Sequence, residues 1–192
     1  MTLFVATYFI IGLIAALQLG NSEFLFYEIG MVAIMSAVVY VDRRVTFSAL
    51  VLWMLALWGL LHLTGGLLPI PAHMTEPGDT QVLYNLRLLP GVPKFDQMVH
   101  AFGFGASLIA AHEAMQVHFK KKLPLTPPII AILLLIAMGL GALNEVLEFM
   151  AVILIPNTNV GGYENTGWDL VSNMVGAFLA ILYLRFMRQR VE

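Results

Sequence analysis

Six long apolar runs dominate this chain and leave few folds open to it. A helix needs about 20 mostly apolar residues to cross the hydrocarbon of a bilayer. Positions 3–19, 24–41, 47–70, 95–118, 128–155 and 168–187 are runs of that kind. Polar breaks separate them: Asn21-Ser22-Glu23, Asp42-Arg43-Arg44, a Pro/Gly-containing stretch at 71–94, and Lys120-Lys121-Lys122 followed by Pro124, Pro127 and Pro128. An Asn/Gly-rich loop from Pro156 precedes Thr166-Gly167-Trp168-Asp169, which reads as a capping box opening the last helix. The expected fold is all-α: one transmembrane domain over 1–192, a six-helix bundle with an extracytoplasmic loop at 71–94.

Composition closes the alternatives. Only 11% of residues are charged and 59% are hydrophobic, whereas a soluble chain carries about 25% charged residues to cover its surface. A soluble enzyme and a disordered chain are thereby excluded. Nucleic acid is not an expected partner either, since a net charge of −2 supplies no dense basic face. The chain has no cysteine, which removes disulfides, thiolate chemistry and iron–sulfur ligation.

Charge asymmetry sets the orientation, because cytoplasmic loops carry the excess of Lys and Arg. Arg43, Arg44, Lys120, Lys121, Lys122, Arg185, Arg188 and Arg190 fall on one side, 8 of the 10 basic residues, leaving Arg87 and Lys94 on the other. Both termini are expected in the cytoplasm. No Lys or Arg precedes the first span, so it reads as a retained helix and not as a signal peptide.

This orientation brings the intramembrane polar residues to one depth. His62 falls in the outer half of the third span, Asp96 and His100 at the outer end of the fourth, and Asn144, Glu145 and Glu148 in the outer half of the fifth. Asp169 and Asn173 lie in the first turns of the sixth, and Glu28 near the outer start of the second. Residues three or four apart share a helix face. Asp96, His100, Gly103 and Ser107 form one stripe, Gly141, Glu145 and Glu148 another, and Asp169, Asn173, Gly176 and Ala180 a third. Small residues deeper in each stripe let membrane helices approach closely. The pattern predicts a tight bundle opening into a polar chamber on the extracytoplasmic side.

Each buried charge costs about 2.5–3.5 kcal/mol even on a lenient insertion scale, so the cluster needs a reason. Three readings are open. His62, Asp96, His100, Glu145, Glu148 and Asp169 have the donor chemistry of a divalent metal site, zinc or manganese. Asn144, Asn173 and Glu28 would then stand behind the ligands. A metal with an open position would polarise a phosphoryl or acyl oxygen, with Glu145 or Glu148 as general base. The same acids and imidazoles also mark proton- or metal-ion-translocating carriers. The third reading is a non-catalytic hydrogen-bonded network in a structural or accessory membrane protein. Within the long outer loop, 82–89 reads as a short amphipathic segment along the interface, from which Arg87 would reach the acids or a substrate phosphate.

The ordered set Leu61-His62-x-x-Gly65, Asp96-x-x-x-His100, Asn144-Glu145-x-x-Glu148 and Trp168-Asp169-x-x-x-Asn173-x-x-Gly176 resembles the YjdF-type family of bacterial inner-membrane proteins. Its later part is more loosely similar to VanZ-like proteins, which share an Asp-x-x-x-His and a terminal Asp-x-x-x-Asn-x-x-Gly. The resemblance covers roughly 47–180. It departs at Glu164-Asn165-Thr166-Gly167-Trp168-Asp169, where a Gln-Gly-Asp-x-Trp-Asp run is the family pattern, and at Glu148, where VanZ-like proteins tend to carry Gln. It implies a bacterial inner-membrane location and, through glycopeptide resistance, cell-envelope chemistry. The leading expectation is a metal-dependent hydrolase acting on a lipid-type or envelope-precursor substrate, with Glu145, Glu148 and Arg87 in the catalytic roles and membrane lipids as partners.

Overall fold

The computed structural model describes residues 1–87 and 93–189; positions 88–92 and 190–192, Arg190 among them, lie outside these. The structure is all-α. Its six long helices are α1 (Thr2–Leu19), α2 (Ser22–Val45), α3 (Ala49–Leu67), α4 (Phe95–His118), α5 (Pro127–Leu154) and α6 (Tyr163–Gln189).

Local chemistry sets the breaks. Gly20 ends α1 in the left-handed region (φ 61°), a conformation that costs glycine nothing. Asn21 caps α2 by accepting the Phe24 N–H at 3.1 Å. At the other end of α2, Asp42 Oδ1 accepts the Phe47 N–H at 2.9 Å, and Ser48 Oγ accepts the Val51 N–H at 3.3 Å to start α3. Pro127 and Pro128 open α5, where their missing N–H groups cost nothing.

Helix α6 begins earlier than its sequence implies. Thr166, expected as the cap, sits inside the first turn, where its own N–H bonds to the Gly162 carbonyl at 3.2 Å. The helix starts straight after the Gly161-Gly162 pair, with Glu164 in the first turn facing the positive end of the helix dipole.

Five helices, α1, α2, α3, α5 and α6, are long and apolar enough to cross a membrane. They turn large apolar side chains outward: Leu3, Ile29 and Leu135 are 81%, 72% and 71% exposed. Such a surface is stable in hydrocarbon and unstable in water. Helix α4 is different. It carries Asp96, His100, His112 and Glu113, and it is the central element, packed on α3, α5 and most extensively on α6. The α4–α6 seam is backbone against backbone. A Cβ on Gly105 would stand 2.9 Å from the Gly176 carbonyl oxygen, and one on Gly176 would collide with the Ala101 carbonyl. Below the polar residues, Val51, Leu108, Leu133, Ala137, Ala177 and Ile181 fill one apolar core.

The outer connection is folded. Ile70 N–H bonds Gln81 O at 3.1 Å and Leu83 N–H bonds Leu68 O at 3.0 Å, pinning a bridge between Pro69 and Val82. The segment expected to lie along the interface instead turns through a 3-10 helix at Leu83–Asn85 that packs on α3 and α4 with Tyr84 and Asn85 buried. Burying Tyr84 wins because its ring and hydroxyl both find partners inside the bundle. Leu88 and Leu89 of that segment fall outside the described residues.

Candidate metal centre

His100 is the hub of the polar cluster. It projects from the outer third of α4, two turns inside the helix start that Lys94 N–H and Gln97 Oε1 close at 2.8 Å. Its Nδ1 lies 3.1 Å from Asn173 Oδ1 on α6. An amide oxygen can only accept, so Nδ1 carries the proton and Nε2 presents its lone pair. Asp96 Oδ1, one turn away on the same helix, is 3.7 Å from Nε2, and Glu148 Oε1 on α5 is 3.8 Å from it. Glu145 Oε1 approaches from the other side, 3.7 Å from Nδ1.

Two groups of possible ligand atoms share this imidazole: Asp96, His100 and Asp169, and His100, Glu145 and Glu148. Within each, one ligand atom per residue lies within 4.8 Å of the others. Two ligands held at about 2.0–2.2 Å by one tetrahedral ion stand roughly 3.3 Å apart. The observed 3.7 and 3.8 Å are within half an ångström of that separation.

The carboxylates are oriented from behind. Asn144 Nδ2 donates to Glu148 Oε1 at 2.8 Å and Asn165 Nδ2 donates to Asp169 Oδ2 at 2.6 Å. Asp169 and Asn173 are fully buried, and Gly141 of α5 is what admits Asn173: a Cβ there would be 2.5 Å from its Nδ2. Within the cluster four buried polar atoms have no hydrogen-bond partner: three acceptors, both carboxylate oxygens of Glu145 and Oδ1 of Asp169, and one donor, Nδ2 of Asn173. Orphaned buried acceptors are rare in folded proteins and call for an occupant.

The other expected members stand apart. His62 accepts the Tyr84 hydroxyl proton at Nδ1 and packs among Phe24 and Tyr27, with ring centroids at 6.0 and 5.8 Å; it belongs to neither ligand group. Burial pushes the Tyr84 phenol well above its ordinary value, so it remains a donor. Glu28 is buried against Gly12 of α1 and Leu63 of α3. Arg87 Nε pairs with Glu76 at 2.9 Å within the outer loop.

Several contributors have no signature in the sequence. Asn165 is one, holding Asp169 from a position that reads as loop. Lys94 is another: its ammonium acts electrostatically on both His100 and Asp169, and its Nζ reaches Asn85 Oδ1 at 3.5 Å. A third is the cover over the cluster. Asn85 Nδ2 donates to Asn159 Oδ1 at 3.1 Å, and the Asn159 N–H donates to Glu23 Oε2 at 2.7 Å, joining the two outer loops to the start of α2.

A family model described as a predicted membrane protein, DUF2238, matches residues 1–190. The chain belongs to this family. No curated protein and no solved structure matches it. For this DUF2238 member the whole bundle, from α1 to α6, is therefore the family unit, and the buried His/Asp/Glu cluster lies inside it.

Proposed function

We propose that the chain is a metal-dependent hydrolase of the bacterial inner membrane, acting on a lipid-type cell-envelope substrate. The observation that carries this reading is the convergence of four carboxylates on one buried imidazole, with Glu145 Oε1 3.7 Å from it beside Asp96 and Glu148. His100, Asp96 and Asp169, one of the two ligand groups, would hold a zinc or manganese ion, with Glu148 beside the same imidazole. Asn173 fixes the imidazole from behind, the usual arrangement for a metal-bound histidine. A bound ion would supply polarisation of a phosphoryl or acyl oxygen and would acidify water. Glu145 is placed to take the proton of an attacking water and to return it to the alkoxide released when the ester bond breaks. The similarity of Asp96-x-x-x-His100 and Asp169-x-x-x-Asn173 to VanZ-like proteins supports the envelope assignment.

Two features weigh against the competing readings. Of the three cluster hydrogen bonds, Asn144–Glu148 and Asn165–Asp169 each lie within one helix, so they aim carboxylates and do not tie helices together. The apolar core around Leu108, Leu133 and Ala177 lies between the cluster and His112, the next buried titratable residue on α4, where a translocation path would need polar groups.

Elemental analysis of protein purified without chelators tests the proposal. Wild type is expected to carry near-stoichiometric zinc or manganese, lost in His100→Ala and in Asp96→Asn/Asp169→Asn. A metal-free wild type, after metal was supplied during growth, would overturn it.

A further inference from the structure

Besides the cluster, the bundle contains a groove of about 630 Å³ bounded by α1, α2, α3 and α5. It exists because α2 leans on α1 and touches α3 and α5 only sparsely. One end lies at Thr2, Val39 and Leu52, and the other at Tyr27, His62, Asn144 and Glu148. The lining between these ends is almost wholly aliphatic and aromatic. The rim residues Ile29 and Val39 are 72% and 50% exposed, so the groove opens sideways toward surrounding lipid.

Three properties identify the occupant. The groove opens between helices long and apolar enough to cross a membrane, so along most of its length it meets hydrocarbon and not water. From Leu52 to His62 the groove runs about 15 Å at the helical rise per residue. One leaflet contributes about half of a hydrocarbon core about 30 Å thick, so this is the depth of one lipid chain. The polar end decides the polarity of the guest: Glu148, oriented by Asn144, belongs both to this groove and to the His100 group.

We infer that the groove holds one hydrocarbon chain of a membrane lipid, lying along the bundle axis with the lipid's polar end delivered to Glu148 beside the metal centre. The substrate class is therefore a long-chain amphiphile that enters sideways from the bilayer. The inference rests on the proposed function for its chemistry, but the lipid site itself does not need the metal.

Gly30 supplies the test. It lines the groove, and a Cβ built there meets nothing within 4 Å. Gly30→Trp, with Gly30→Leu as a milder plug, sets its Cβ in open space at the groove and adds bulk there. Gly139→Trp is the control, equally unobstructed and outside the groove. The proteins are reconstituted in nanodiscs of dioleoyl phosphatidylglycerol, released into detergent, and weighed by native mass spectrometry alongside metal analysis. Wild type and Gly139→Trp are expected to retain one phospholipid per chain. The two plugs should lose at least ten-fold of that occupancy with metal content unchanged, and His100→Ala should lose metal while keeping the phospholipid. Equal retention in the plugged variants, a lipid-free wild type, or a dimer abolished by the plugs would overturn the inference. Plug-sensitive phospholipid in a metal-free wild type would uphold the groove and overturn the metal reading alone.

Discussion

Gly141→Ala adds one methyl group to α5, and the structure places that methyl against Asn173. Its carbon would lie 2.5 Å from Nδ2, 3.0 Å from Cγ and 3.3 Å from Cβ, where ordinary contact begins at 3.4 Å. The amide must therefore move by about 0.9 Å. Asn173 has no free space to enter, being fully buried on a helix whose Gly176 is pressed against the α4 backbone. The amide has to rotate, taking the 3.1 Å bond to His100 Nδ1 toward about 4 Å, beyond hydrogen-bond range. Losing the group that orients a metal-bound histidine typically costs about 10–100-fold in metal affinity, or about 1.4–2.7 kcal/mol. Competition against a chromophoric chelator in detergent measures it. Gly139→Ala is the matched control, on the same helix with nothing within 4 Å of the new methyl. It should leave metal affinity unchanged and gain up to about 1 kcal/mol of helix propensity. Wild-type affinity in Gly141→Ala would refute the role given to Asn173, whatever happened to its thermal midpoint.

Two further outcomes follow from the loop end of the bundle. Tyr84→Phe strips the buried Nδ1 of His62 of its donor, which should cost about 1–3 kcal/mol of stability in a thermal unfolding assay while metal stoichiometry stays as in wild type. Loss of the metal in that variant would return His62 to the ligand set. Because burial raises the Tyr84 phenol in the folded protein, its contribution to stability is fully present below the ordinary tyrosine value near 10 and is lost as pH rises from there toward the raised folded value. Unfolding midpoints above pH 10 should therefore fall less steeply in Tyr84→Phe than in wild type, and parallel curves would count against that burial.

The spans and the core of the site are legible in the sequence for the same reason: hydrocarbon tolerates few polar residues, so each one carries information. Asp96 with His100, Glu145 with Glu148, and Asp169 with Asn173 stand at helical spacings on apolar helices, and the structure brings all six together. What stays illegible depends on the loops, where no periodicity specifies geometry. The sequence at Tyr84 does not say that its hydroxyl will turn His62 away from the acids, nor does Arg87 announce its pairing with Glu76. Asn165 reads as loop because the Thr166 capping signal points to a later helix start than the one after Gly161-Gly162. The close seam is likewise misplaced by one stripe: Gly105, not Gly103, meets Gly176, while Gly103 faces Trp58.

The position of α4 bears on how the protein is made. Among the six long helices it alone falls outside the set apolar enough to cross a membrane, yet the seam that buries it is contributed chiefly by α6, which follows it in the chain. A nascent chain ending after α5 has no Asp169, no Asn173 and no Gly176 to receive the polar face of α4. The polar face of α4 is thus received only once α6 has been made, so the site and the bundle assemble together.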